Sequence, residues 1–329
     1  MSSPVSLVAN TRQDRVVSSV TTGPRVAVVM TVHNGMPYLK PAVESILSQS
    51  LAEFEFIIVN DGSTDSTSEF LQSIRDPRVS TIHQERSGQQ AAAHRGIVAA
   101  SATYIARMDS DDVSAPQRLD RQLKFLDANP DIGLVGSQIT RRGESGSGLL
   151  SHFPTDHDRI VDDLFHNRHS MCNPSTMFRR DLYFAVGGYW QHNIAEDWDL
   201  FLKIAEHAKL ANLDEPLLSY RFHTGSINGR RIVEAQLYNE FAAHLAGQRR
   251  AGLPATTIAE FLAAHRSQRF PYSVFFHLDC HSVAQYRKAV AEIHSGKPVR
   301  GGLRAIYSIA CSPGRMIRRA KNYFASKKS

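Results

Sequence analysis

The chain has few cysteines and no long hydrophobic run. Its three cysteines, Cys172, Cys280 and Cys311, are widely spaced among 329 residues. They are too few and too scattered for a disulfide framework or a cysteine-based zinc site, which favours a reducing compartment. No segment approaches the roughly 20 apolar residues of a membrane span, and residues 1–23 lack the apolar core of a secretory signal. The sequence therefore predicts a cytoplasmic protein with a flexible tail over residues 1–23.

The glycine-rich phosphate loops of common nucleotide-binding proteins are also missing. Neither G-x-G-x-x-G nor G-x-x-x-x-G-K-[ST] occurs. This absence weakens the case for a dinucleotide dehydrogenase and for a P-loop nucleotidase. A hydrophobic content of 42% is ordinary for a soluble globular protein of one large or two moderate domains.

The positive charge is concentrated near the C-terminal end. The formal net charge is +6, yet nine Lys or Arg and no acid follow Glu292. Such a segment, with apolar residues between the cations, is typical of a helix on an anionic membrane surface. A solvated basic tail and a helix packed on the body are the alternatives. No nucleic-acid partner is expected, because no recognisable binding module accompanies the charge. The nine cations are Lys297, Arg300, Arg304, Arg315, Arg318, Arg319, Lys321, Lys327 and Lys328.

From Arg25 onward, short apolar runs alternate with helical segments, which predicts an α/β fold with a mostly parallel central sheet flanked by helices. The predicted strands are 26–32, 54–59, 79–83, 104–108, 132–135, 173–178 and 217–222. The predicted helices are 38–48, 67–74, 89–100, 116–129 and 196–208. A flexible loop is predicted at 143–148, where Ser and Gly cluster, and the chain reads as mainly helical from Arg231.

Three polar loops follow predicted strands, at 31–35, 60–65 and 109–112. In an open α/β sheet, ligands bind at the carboxyl ends of the strands. The last loop holds Asp109, Asp111 and Asp112, whose mutual repulsion raises their pKa values unless a cation neutralises them. Mg²⁺ and Mn²⁺ prefer such oxygen ligands, so a divalent metal site is predicted here. A solvated acidic turn is the alternative.

Four motifs occur in order along the chain. They are VVMTVHNG at 28–35, FIIVNDGSTD at 56–65, YIARMDSDD at 104–112 with Pro116, Arg118, Leu119 and Gln122 after it, and GGY at 187–189 with EDWDL at 196–200. Together they resemble the inverting family 2 glycosyltransferases of the Rossmann-like GT-A fold. We therefore predict a GT-A domain over residues 24–230 and a helical, basic extension over 231–329.

The resemblance implies transfer of a sugar from a nucleotide-diphosphate sugar, of UDP type, to a hydroxyl of a glycan or lipid-linked acceptor, with inversion. It also implies a divalent cofactor, Mg²⁺ or Mn²⁺. Asp61, with Asn60 beside it, is expected to contact the base. The loop containing Thr31, His33 and Asn34 is expected to line the same pocket.

The same resemblance assigns the metal and the base. Asp111 is expected to coordinate the ion, Asp109 to lie near both the ribose and the ion, and Asp112 to support the loop. His223 is a candidate further ligand, with an ordinary structural histidine as the alternative. Asp197 is the candidate general base, because one protein base must take the proton of the acceptor hydroxyl. The alternative is that the acidic residues at the start of this helix only stabilise it by interacting with the helix dipole.

Two residues depart from the family pattern. His33 stands where Tyr is common, and His94 stands where Asn is common. Both are expected to face the donor pocket, so they bear on the identity of the donor. Arg95 and Arg107 are each expected to offset the diphosphate charge, with pairing of Arg107 to the acidic loop as the alternative.

Two other functions fit parts of the sequence. Asp109-Ser110-Asp111-Asp112-Val113 also matches the nucleophile motif of haloacid-dehalogenase-like phosphatases, with Asp109 as the phosphorylated group. That interpretation leaves the loop at 60–65 and the acids at 196–197 unexplained. A non-catalytic sugar-nucleotide-binding protein is the non-enzyme alternative.

Overall fold

The computed structural model describes residues 23–142, 148–221, 232–267, 272–294 and 297–313. Within them the chain forms one nine-stranded sheet with helices on both faces. The strands are β1 (Val26–Val32), β2 (Glu55–Asp61), β3 (Val79–Gln84), β4 (Tyr104–Asp109), β5 (Val113–Ser114), β6 (Ile132–Arg142), β7 (Gly148–Leu150), β8 (Met177–Arg179) and β9 (Lys209–Arg221).

The helices alternate with the strands and then continue without them. They are α1 (Leu39–Leu47), α2 (Thr67–Ser73), α3 (Gln89–Ala99), α4 (Arg118–Ala128), α5 (His157–Phe165), α6 (Arg180–Ala185), α7 (Glu196–Ala205), α8 (Ile232–Arg250), α9 (Ile258–Ser267), α10 (Tyr272–His294) and α11 (Pro298–Cys311). None of the helices among the described residues is long and apolar enough to cross a bilayer.

The strand order is β3-β2-β1-β4-β8-β6-β9-β5, and β7 pairs with β6. Strands β3, β2, β1 and β4 run parallel, so their carboxyl ends share one edge of the sheet. In this register Thr31 lies opposite Asp109, and Val32 lies opposite Asn60. The polar loops predicted to converge therefore leave the sheet side by side.

Strand β1 is buried along its whole length and contributes to two hydrophobic cores. Its alternate residues Ala27 and Val29 pack on the side of α3 and α7. Val28 and Met30 pack on the other side, with α1 and α4. A strand covered on both faces reads as a continuous apolar run, which is why this one is visible in the sequence. The three leucines on one face of α4, Leu119, Leu123 and Leu126, are buried as their helical spacing predicts.

The second half of the sheet differs from the prediction in two places. The expected strand at 173–178 is wrong for its first half, where Asn173–Ser175 forms a 3-10 helix. Pro174 has no N–H for a strand ladder, and the Ser175 N–H donates to Cys172 O at 2.9 Å, which closes a turn. Strand β6 ends seven residues after the predicted 132–135, and β9 begins eight residues before the predicted 217–222. Both are longer because they pair with each other in parallel.

The C-terminal helices form a continuous stack that begins on α7. Helix α8 packs on α7, α10 packs on α8, and α11 packs on α10. The predicted helical extension is therefore present in the described residues. The predicted tail lies almost wholly in residues 1–22 and the predicted flexible loop largely in 143–147, both outside the described residues.

Helix α3 approaches the sheet closely through Gly96. A Cβ on Gly96 would lie 2.6 Å from Val29 Cγ1 and 3.1 Å from Val59 Cγ2, both in buried strands. We predict that Gly96→Ala lowers the free energy of unfolding by about 1–3 kcal/mol, because overpacking outweighs the better helix propensity. Urea unfolding measures the change. Gly247→Ala in α8, which meets nothing within 4 Å, is the control and should stabilise slightly. Equal effects of the two substitutions would contradict the prediction.

Candidate active site

Asp61, at the end of β2, fastens the loop between β3 and α3. Its side chain is 4% exposed. Oδ1 accepts hydrogen bonds from Gln84 Nε2 and Ser87 N, both at 2.7 Å, and Oδ2 accepts one from Gly88 N at 2.9 Å. Gly88 has φ +95°, and a Cβ there would lie 2.7 Å from Asn193 Oδ1. The Asp61 carboxylate thus holds a loop whose close contact with the segment before α7 requires glycine.

Two asparagines hold the loops after β1 and β2: Asn34 joins the two loops, and Asn60 holds the second one. Asn34 has φ 52°, and its Oδ1 accepts a hydrogen bond from Thr64 N at 2.7 Å. Asn60 Oδ1 accepts one from Ser63 N at 3.1 Å, and its Nδ2 donates to Ser68 Oγ at 2.9 Å. Both side chains therefore fix backbone at the carboxyl edge of the sheet.

His33 lies between these loops. Its Nδ1 is 2.9 Å from Asp61 O, and its Nε2 contacts the Arg86 guanidinium. A carbonyl accepts and a guanidinium donates, so this arrangement requires the tautomer with the proton on Nδ1. The structure therefore brings Thr31, His33, Asn34, Asn60 and Asp61 together at one edge.

His94 and Arg95 lie on α3 and contact different neighbours. His94 Nδ1 is 2.9 Å from the hydroxyl of Tyr183, which also accepts the Tyr189 N–H at 3.3 Å. Arg95 Nη1 donates to Gln84 Oε1 at 3.3 Å, so Gln84 bridges Arg95 and Asp61. Arg95 thus joins the group around Asp61, whereas His94 joins the turn before α7. Their roles toward a donor stay predictions.

Three carboxylates meet in the loop after β4. Asp109, Asp111 and Asp112 each offer an oxygen, and these oxygens lie within 4.8 Å of one another. Asp112 Oδ1 accepts a hydrogen bond from Arg221 N at 2.7 Å. Asp109 Oδ1 and Asp112 Oδ2 are buried without a hydrogen-bond partner among the described residues. Buried carboxylate oxygens without a hydrogen-bond partner destabilise the fold, and such oxygens are suitable ligands for a hard divalent cation.

Two buried arginines lie beneath this loop. Arg107 Nη1 donates to Val29 O at 2.6 Å, and its Nη2 lies 4.0 Å from Asp109 Oδ1. Arg118 Nη2 donates to Arg107 O at 2.6 Å, and its Nε to Gln122 Oε1 at 3.1 Å. Burial lowers the pKa of Arg118 to about 10, which leaves it cationic at neutral pH. Burial raises the pKa of Asp109 to about 6 despite Arg107, and raises that of Asp112 well above its usual value.

Arg221, at the end of β9, was not found by sequence reasoning. Its Nε donates to Asp111 O at 3.0 Å, and its guanidinium lies over the Tyr38 ring at 4.1 Å. The antiparallel pairing of β5 with β9 brings it to the acidic loop. This pairing joins residues more than 100 positions apart, and no local pattern signals it. His223 follows two residues later and lies outside the described residues, so its role as a ligand stays a prediction.

Helix α7 brings a second acidic pair to the same place. It begins after Ala195, which has the left-handed φ of 55°. Asp197 Oδ1 accepts a hydrogen bond from Trp198 N at 2.8 Å, and Trp198 Nε1 donates to Leu164 O at 3.0 Å. Burial raises the pKa of Asp197, with Arg107 opposing the shift. Burial and the charge of Asp197 raise the pKa of Glu196 to about 8.

Asp197 and Asp109 interact electrostatically, since the charge of Asp197 adds to the raised pKa of Asp109. Asp199, in the same first turn of the helix, is buried and pairs with Lys203 Nζ at 2.7 Å. The helix-start acids are thus of two kinds. Asp199 is accounted for by its ion pair, whereas Asp197 and Glu196 belong to the charge group around Arg107 and Asp109.

Comparisons with known proteins agree with this geometry. Residues 27–186 match the model of glycosyl transferase family 2. The O-antigen biosynthesis glycosyltransferase WbnJ of Escherichia coli is 31% identical over 207 residues, 61% of this chain and 81% of that protein. This chain belongs to glycosyltransferase family 2.

Solved structures show that this family 2 glycosyltransferase has the GT-A fold. S. aureus TarS residues 1–349, in complex with UDP-GlcNAc, superposes with a TM-score of 0.58 at 15% identity, covering 87% of this chain and 91% of that one. The mannosyltransferase PcManGT from Pyrobaculum calidifontis, in complex with GDP-Man and Mn²⁺, gives a TM-score of 0.50 at 17% identity, covering 87% and 88%. Family membership excludes the phosphatase alternative with Asp109 as nucleophile.

The raised pKa of Glu196 makes the stability of this glycosyltransferase depend on pH. In the folded state the pKa is about 8, against about 4.5 for an ordinary Glu. The folded protein therefore binds more protons than the unfolded chain between these values, so the free energy of unfolding falls as pH rises. With chelator present, we predict that Glu196→Gln makes this fall shallower and stabilises by about 1–2 kcal/mol near pH 8, allowing for its partial exposure.

Urea unfolding at several pH values measures this effect. Glu69→Gln, at an exposed acid in the first turn of α2, is the control and should leave the pH profile unchanged. A Glu196→Gln profile as steep as that of the wild type would show that Glu196 is not the group that titrates.

Proposed function

We propose that this chain catalyses metal-dependent, inverting transfer of a sugar from a nucleotide-diphosphate sugar of UDP type to a hydroxyl of a glycan or lipid-linked acceptor. The observation that carries the proposal is the single charge group formed by the acidic loop, Arg107 and Asp197. Similar proteins support it, since WbnJ is named for O-antigen biosynthesis, TarS is in complex with UDP-GlcNAc, and PcManGT is in complex with GDP-Man. The expected biological process is synthesis of a cell-surface polysaccharide or glycoconjugate.

The nucleotide base is proposed to bind at the edge formed by the loops after β1 and β2. The Asp61 carboxylate already accepts three hydrogen bonds from the protein. An ionised carboxylate has about four lone-pair positions, so one is left for an N–H such as that of uracil. His33 and Gln84 flank Asp61 and supply further polar groups for the base. In this proposal Asp61 both fixes the pocket wall and reads the base.

The acidic loop is proposed to hold Mg²⁺ or Mn²⁺ through Asp109 and Asp111, with His223 as the predicted further ligand. Such an ion supplies Lewis-acid stabilisation of the negative charge that develops on the diphosphate leaving group. Asp112 is anchored to the backbone of Arg221 and keeps the loop in place. Arg107 limits the negative charge on the protein side of the loop.

Asp197 is proposed to take the proton of the acceptor hydroxyl. As that proton moves to the Asp197 carboxylate, the acceptor oxygen bonds to the anomeric carbon on the face opposite the diphosphate. The bond from the anomeric carbon to the diphosphate oxygen breaks, its electron pair leaves with the diphosphate, and the configuration inverts. The raised pKa of Asp197 makes it a stronger base than an exposed Asp.

We predict that Asp197→Asn lowers kcat by about 100- to 10,000-fold with little change in the donor KM, because the amide accepts no proton. The measurement is release of nucleoside diphosphate from a panel of sugar nucleotides with Mn²⁺ and candidate acceptors. Asp158→Asn, at an exposed acid in the first turn of α5, is the matched control and should behave as wild type. If Asp197→Asn and wild type turn over alike with every donor, the base assignment is wrong. Donor binding without turnover by the wild type would favour the non-catalytic alternative.

Metal removal tests the acidic loop separately. We predict that the thermal shift caused by the nucleotide requires Mn²⁺ or Mg²⁺, is lost with chelator, and needs at least about tenfold more metal in Asp111→Asn. Asp131→Asn, which removes a surface ion pair with Lys209, should keep the wild-type metal requirement. A nucleotide shift that survives chelation would remove the ion from the proposed mechanism.

A further inference from the structure

Helix α11 packs on α10 through its small residues. Gly301 is buried, and a Cβ there would lie 2.5 Å from Ile293 Cγ1 and 2.8 Å from Ala289 O. Two turns further along α11, Ser308 forms two hydrogen bonds with Ser282 of α10. Each hydroxyl donates to the backbone carbonyl of the other serine at 2.8 Å. The side of α11 that carries Gly301 and Ser308 is therefore its inner side.

The opposite side of α11 exposes apolar residues. Val299, Leu303 and Ile306 are 78%, 65% and 65% exposed. Their spacing of four and three residues places them in one row along the helix, and Tyr307 and Ile309, also exposed, flank that row. We call these five side chains the outer face of α11. A contiguous apolar surface of this kind marks an interaction site rather than ordinary scatter.

Positive charge accompanies the outer face. Lys297 and Arg300 are exposed beside it. Arg300 and Arg304 share one acid, Glu292, at 3.2 Å and 2.9 Å, so the three charges leave an excess of one cation. No acid follows Glu292 in the sequence, whereas six more Lys or Arg do. Among the described residues of α11 and its N-terminal cap, Lys297, Arg300 and Arg304 are the charged groups, and all three are cations.

We propose that α11 docks on an anionic lipid membrane, with Val299, Leu303 and Ile306 in the acyl-headgroup boundary and the basic residues against the phosphates. A helix with an apolar row and a basic flank has the chemistry of an interfacial helix. Charge favours lipid over a second copy of the chain, because a two-fold pairing of this face would bring like charges together with few acids to offset them. This docking does not depend on the proposed reaction.

The test is co-sedimentation of the full chain with vesicles. One set is phosphatidylcholine, and the other is an equimolar mixture with phosphatidylglycerol. Wild type is expected to bind the mixed vesicles and to be released by high salt. The double variant Leu303→Ser/Ile306→Ser should bind at least about tenfold more weakly. The double variant Val98→Ser/Leu253→Ser, which removes two exposed apolar residues elsewhere, is the matched control and should bind as wild type.

A second variant reports membrane contact through a new fluorescence signal rather than through a loss of binding. Trp190 and Trp198 are buried, so an added Trp on the outer face reports its own surroundings. With mixed vesicles, the emission of Leu303→Trp is expected to shift to shorter wavelength and to be quenched by brominated lipid. The proposal is overturned if wild type ignores mixed vesicles, or if Leu303→Ser/Ile306→Ser binds them as wild type does. It is equally overturned if wild type is a dimer that this double variant converts to a monomer without any lipid binding.

Discussion

The crowding of carboxylates at the carboxyl edge of the sheet is the constraint on which the rest of this structure depends. Three aspartates share one loop, and their oxygens lie within 4.8 Å. Like charges at this separation are tolerated only with compensation. The protein supplies part of it with Arg107 and Arg118, both essentially without solvent exposure. Two guanidinium groups therefore occupy space in the core that apolar side chains would otherwise fill.

These arginines also connect the site to the fold. Each donates to a backbone carbonyl of the central strands, Arg107 to Val29 O and Arg118 to Arg107 O. Gln122 takes the Arg118 Nε hydrogen bond and donates to Ser175 O at 2.7 Å, so the support reaches the 3-10 helix. Removing one partner from such a network of buried charges destabilises the fold by much more than the intact pair stabilises it. The position of the acidic loop is thus fixed by packing as much as by charge.

The sequence predicts the parallel half of the fold closely, because its signals there are local. Strand β1 is a continuous apolar run, the polar loops follow strand ends, and α4 shows its buried leucines at helical spacing. The predicted bounds of β1 to β4 agree with the structure within two residues. The second half depends on pairings between distant segments, such as β5 with β9 and β6 with β9. Local sequence patterns do not indicate these pairings. The sequence therefore predicts β6 and β9 too short and does not identify Arg221 as a residue of the site.

The site itself was predictable in composition but not in connectivity. The motif residues at the carboxyl edge were identified from their types and positions, and the resemblance to the family supplied their roles. What the sequence does not contain is how they are held. Asp61 is engaged by Gln84 and two backbone amides, and His94 bonds to Tyr183 on α6. These hydrogen-bond partners are determined by how α3 and α6 pack on the sheet. That packing depends on the whole domain.

The formal charge of +6 combines two regions of opposite character. The edge of the sheet is rich in carboxylates, so an anionic diphosphate donor meets repulsion there unless a cation lies between the two. The described basic residues Arg300 and Arg304 lie on α11, which contacts the sheet-containing half of the chain through α10, α8 and then α7. If those cations lined the donor pocket, they would hold a diphosphate without any metal, and release of the product nucleotide would be slow. In the proposed function a metal at the acidic loop governs donor binding, and α11 is left available for the proposed anionic surface.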